Sequence, residues 1–134
     1  MKAYKTFSLV LAVVFAIVGL AFLAAPARVI ETFNGLSSSL GLATAPVTGF
    51  SFYLALAVAY MELVTVIAVF MYLHPGSAVY PLLLFHGKIA SAALSFLLFF
   101  VHLPFLLYLG NGIVDGGIGI VALIIFLKKK RTKR

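Results

Sequence analysis

Three ionisable side chains stand in the middle of long apolar runs: Glu62, Lys88 and Asp115. An acid or a base at such a position is disfavoured by about 2.5–3.5 kcal/mol on membrane-insertion scales, so three isolated ones would cost roughly 9 kcal/mol. That pressure favours pairing. Lys88 is the only cation at that depth, and its long side chain can reach an acid on either neighbouring segment. A buried Glu62–Lys88–Asp115 cluster is therefore expected. Two acids and one base leave it at −1 if all ionise, so one acid would hold a proton, and intramembrane ionisable groups serve as proton, ion or ligand sites. A static ion-pair network that fixes helix register would use the same three residues, and charges that face lipid or snorkel to water are the third reading; all three are open.

The flanking residues support a shared interior. At helical spacing Lys88, Ser91, Ala92 and Ser95 lie on one side of their segment, Ala55, Ala59, Glu62 and Thr65 share a side of theirs, and Asn111, Gly112, Asp115 and Gly119 do the same. Each charge thus sits on a small or polar stripe of the kind that meets other helices in a membrane, with Thr65, Ser91, Ser95 and Asn111 as supporting polar groups. Gly112 and Gly116 form a Gly-xxx-Gly pair that, with Gly119, lets another backbone approach closely. A locally loosened helix whose carbonyls face a ligand is the rival reading of these glycines.

Other chemistries find little support. The chain has no cysteine, which excludes disulfides, thiolate metal sites and thiol catalysis. No Ser-His-Asp set, phosphate loop, metal motif or dinucleotide fingerprint is present, so no catalytic residue is assigned. His86 lies two residues before Lys88, about 200° around a helix, and is not expected in the cluster. Haem would want histidines at matching depth on different helices, yet His86 and His102 share one segment and His74 lies in a turn. No cofactor is predicted, with haem or a quinone as minority readings. Tyr60, also mid-segment, is expected to pack, with a hydrogen bond to the cluster or to a quinone-like headgroup as the alternative.

These residues need elements to hold them. The chain has 134 residues, 64% of them apolar and 10% charged, against about 45–50% and 25% in soluble domains. A membrane-spanning helix takes about 20 apolar residues, and four such runs are legible, at about 7–25, 50–73, 80–101 and 106–127. They predict one all-α domain, an integral membrane four-helix bundle embedded in the lipid bilayer. The first run is longer than the 7–15 apolar residues usual in a cleaved signal peptide, so a retained span is expected. Its Ser8, Ala12, Ala16 and Gly19 suggest a close-packing stripe. Residues 26–49 form an outer loop whose Val29, Ile30 and Phe33 share one side of a short amphipathic helix or belong to a solvated connector. His74-Pro75-Gly76-Ser77 is a tight turn, and Pro81 is tolerable in the first turn of the third span.

The charge of +7 reads as flanks, not as a nucleic-acid surface: Lys2 and Lys5 precede the first run, and six cations stand in the tail 128–134. Basic flanks collect in the cytoplasm. Both termini are therefore expected there, which requires an even number of spans, in the plasma (cell inner) membrane. The tail then acts as a topology anchor, and with no Trp the aromatic belt falls to Tyr4, Tyr72 and Tyr80 on one side and Tyr53 and Tyr108 on the other.

Gly19 followed by Pro26, Glu62, Lys88 with Ser91, and Val114-Asp115-Gly116 together resemble the DoxX-like group of small four-helix membrane proteins. The resemblance spans most of the chain in length and order. It implies a four-helix bundle, some of whose relatives are membrane subunits of oxidoreductases acting on the quinone pool, and carries over no catalytic residue. The expectation is a non-catalytic accessory subunit of a larger respiratory or redox complex, held to other membrane subunits or to its own copies. The alternative is a small proton-coupled transporter or channel using Glu62, Lys88 and Asp115.

Overall fold

The computed structural model describes residues 2–49 and 51–132, so Lys133 and Arg134 of the basic tail lie outside the described residues. Five helices follow in order: α1 (Lys2–Ala24), α2 (Pro26–Ser39), α3 (Ser51–Leu73), α4 (Val79–Val101) and α5 (Leu106–Thr132). Four of them, α1, α3, α4 and α5, are long and apolar enough to cross a membrane. The chain is all-helical and multi-pass, as its apolar runs require. Of the two readings of the stretch 26–49, the short helix is the one present, as α2, because Pro26 suits a first helical turn and Val29, Ile30 and Phe33 give the segment an apolar side. One boundary differs from the expectation. At the other end, α5 runs on through the cations to Thr132, since Lys and Arg are good helix formers and complement the negative end of the helix dipole.

The spans associate as two pairs. α4 packs on α5 and α1 on α3 along most of their lengths, α3 touches α4 over a shorter stretch, and α1 and α5 share no comparable interface. Small residues make the close approaches. A Cβ on Gly119 would fall 2.8 Å from Ile89 Cδ1, and one on Gly112 would fall 3.0 Å from the Phe96 ring, so a side chain at either position would press on its neighbour across the α4–α5 contact. Gly116 abuts Ala92 less tightly, at 3.7 Å. On α1 the stripe holds: Ser8, Ala12 and Gly19 are buried, and a Cβ on Gly19 would sit 3.3 Å from Met61 Cβ on α3. The core joins Leu11, Ala12 and Phe15 to Val64, Ala68 and Met71, with Leu84 and Ala122 from the other pair.

Both described chain ends lie at one end of the bundle. Lys5 Nζ stands 5.2 Å from the centre of the Tyr72 ring at the close of α3, and Lys129 Nζ donates to the Pro75 carbonyl in the α3–α4 turn while lying 4.0 Å from the Tyr4 ring. Beside them Phe70 stacks on Tyr80, and the His74 ring is tilted against both.

α2 closes the opposite end. It stops in a Schellman motif, in which the Leu42 amide donates to the Ser37 carbonyl and the Gly41 amide to that of Ser38. Gly41 takes the left-handed φ of 68° that this ending needs. The Asn34 side chain then clamps the following loop, donating to the Ala45 carbonyl and accepting from the Ala45 amide, both at 2.8 Å. Buried Ser37 accepts a hydrogen bond from the Leu106 amide at 3.2 Å and so caps the start of α5 from a distant segment.

Candidate functional site

Lys88 is the tenth of the 23 residues of α4 and Asp115 the tenth residue of α5, which puts both well inside their spans. Because α4 and α5 pack along their lengths, the two meet: Lys88 Nζ donates to Asp115 Oδ1 at 2.7 Å, with the lysine fully buried and the aspartate 2% exposed. The ammonium lies 3.7 Å from the centre of the Phe15 ring on α1 and 5.0 Å from that of Tyr60 on α3, within the range in which an aromatic face attracts a cation. A single lysine thus touches all three other spans. Tyr60 is held in turn by its hydroxyl, which donates to the Gly87 carbonyl at 3.0 Å. Its expected packing role and a cross-helix hydrogen bond coincide, although the bond goes to backbone and not to a charged group.

Glu62 does not join them. It is the twelfth of the 23 residues of α3 and is exposed, with no hydrogen bond or ion pair among the described residues. The three-member cluster is corrected to a pair. The reason is rotational: α3 turns Val64, Ala68 and Met71 inward, and Glu62 lies two residues, about 200°, from Val64. Ala55 and Ala59 are exposed with it, so the small-and-polar stripe of α3 faces away from this chain's other spans. Thr65 supports no cluster either, since its hydroxyl donates to the Met61 carbonyl of its own helix at 2.9 Å.

The remaining expected polar groups form a second α4–α5 clasp. Asn111 Nδ2 donates to Ser95 Oγ at 2.8 Å and to Ser91 Oγ at 3.1 Å. His86 lies outside the pair, as its angular offset predicts; it is exposed, and its ring is tilted against that of Phe85 with centroids 5.1 Å apart.

The pair has one open valence that residue spacing gave no means of finding. Asp115 Oδ2 is buried and has no hydrogen-bond partner. A buried carboxylate oxygen left unpaired is costly, more so in low dielectric. Asp115 lines a cavity of about 500 Å³ between α1 and α5, where the two helix pairs separate. The signal lay in contacts that only tertiary packing creates. No known protein family, curated protein or solved structure matches the chain.

Proposed function

We propose that the protein is a non-catalytic membrane subunit that docks the Glu62 face of α3 against a transmembrane helix of a different subunit in a larger assembly. The observation that carries this reading is Glu62 itself: a carboxyl at the midpoint of a membrane-length helix, exposed, and unanswered among the described residues. Left against lipid it costs about 2.5–3.5 kcal/mol on insertion scales. Lys88, the cation that would have compensated it, is consumed by Asp115.

Charge decides which partner fits. A symmetric dimer through this face would place two Glu62 carboxyls in one interface with no cation to answer them, so that each would have to stay protonated or the two share a proton. A helix offering Lys, Arg or an amide donor removes the penalty, and Ala55 and Ala59 on the same face allow its backbone to come close. The DoxX-like resemblance points to a respiratory or redox complex, and the basic flanks favour a cytoplasmic location for both termini. The transport reading needed three charges in one interior, and Glu62 stands outside it.

The absence of native cysteine makes the test clean. With Ala59→Cys as the sole thiol, crosslinking in native membranes is expected to join this chain to a transmembrane segment that carries a cationic or amide side chain opposite Glu62. Adding Glu62→Leu is expected to abolish the adduct and release a monomer in mild detergent. A chain that purifies as a monomer with no adduct, or that crosslinks to its own copy, would overturn the proposal.

A further inference from the structure

The cavity between α1 and α5 follows α1 from Phe7 to Phe22, about 22 Å at 1.5 Å per residue. Val29 and Phe33 of α2 line it as well, so its α2 end is covered. Val10, Val14, Ile17 and Val114 are exposed and form its rim, whereas Leu11, Phe15 and Asp115 are buried and form its floor. The rim belongs to membrane-length helices, so the opening faces the hydrocarbon of the bilayer. The lining is apolar except at Asn111 and Asp115.

Those two groups define what fits. Asp115 Oδ2 is buried, unpartnered and an acceptor. Asn111 has committed its amide nitrogen to Ser91 and Ser95, so what it keeps for the cavity is its carbonyl oxygen, a second acceptor. The matching group must therefore be a donor. Lys88 already neutralises the carboxylate and is itself sealed off by Asp115, Phe15 and Tyr60, so neither an anion nor a further cation is called for. An anionic headgroup would meet Asp115 and not the ammonium. We infer that the cleft binds a single-chain lipophile with a neutral hydroxyl, taken laterally from the membrane, whose chain lies along α1 and whose O–H donates to Asp115 Oδ2. The volume falls in the usual range for one small ligand.

The test uses the full chain in phosphatidylcholine nanodiscs, a lipid without hydroxyl donors. Three diazirine probes of equal length are compared: hexadecanol, palmitate and hexadecane. Hexadecanol is expected to label α1 and α5 peptides about tenfold more than the other two, the ratio that one hydrogen bond to a charged acceptor commands. Val114→Trp, at the exposed rim, is expected to cut that labelling about tenfold by occluding the same hydrogen-bonded site. The double variant Lys88→Met with Asp115→Leu, which leaves no stranded charge, is expected to bring the three probes level. Equal labelling of wild type by all three would mean ordinary bilayer filling and would overturn the inference. So would a hydroxyl preference that survives the double variant or is unmoved by Val114→Trp. Competition by dioleoylglycerol as strong as by hexadecanol would overturn the single-chain assignment.

Discussion

Lys88 and Asp115 behave as a unit, and their variants should be read that way. Replacing Lys88 alone by Met strands a buried carboxylate and is expected to cost about 3–5 kcal/mol, whereas adding Asp115→Leu restores stability to near wild type because a well-packed apolar pair avoids desolvation altogether. Reversible unfolding of the purified chain in mixed micelles checks both, and equal stability of the single and double variants would contradict the pairing. Glu62→Leu is expected to change the stability of the isolated chain by less than about 0.5 kcal/mol, since nothing among the described residues bonds to that carboxyl. Its effect should appear in assembly. That Lys88 would need an acid was legible from residue type and depth, but not which one. The outward turn of Glu62 was not legible either, because a small-and-polar stripe says that a helix face meets another helix and is silent on which chain supplies it.

Helices here are positioned by a few contacts whose removal has measurable size. Ser37 caps α5 across 69 residues of sequence, and Ser37→Ala is expected to cost about 1 kcal/mol, as loss of a cap usually does. Hydrogen exchange should show the first turn of α5 opening more often, with the far end of that helix unchanged. Gly112→Val puts a branched side chain where a Cβ alone already falls 3.0 Å from the Phe96 ring. Overpacking of this kind costs about 1–3 kcal/mol, and the same micelle assay reads it. Gly117, where an added Cβ would meet nothing within 4 Å, is the control that should tolerate Ala. The glycine spacing pointed to close packing, but the choice of Gly112 and Gly119 as the tight positions depended on the rotation of α5 against α4. The cap was invisible in sequence, since nothing local links Ser37 to Leu106.

At the scale of the whole molecule, four spans put both described chain ends at one end of the bundle and α2 at the other. In the cysteine-free background, thiols introduced by Gly76→Cys and by Thr44→Cys are expected to react with an impermeant reagent from opposite sides of sealed vesicles, with position 76 on the cytoplasmic side shared by the termini. Labelling of both from one side would break the four-span topology. The architecture also explains the cavity: two tight helix pairs joined mainly through α3 and α4 leave α1 and α5 apart, with Asp115 lining the void between them. Sequence by itself determined the number and approximate extent of the spans, their small-residue seams and the need to compensate Lys88, because these follow from solvation energies that depend on residue type and depth alone. Tertiary structure decided which acid met the lysine, that Glu62 turned outward, that α2 capped the bundle and that a cleft opened beside Asp115, because each depends on the rotation and pairing of helices, which lipid-phase hydrophobicity leaves undetermined.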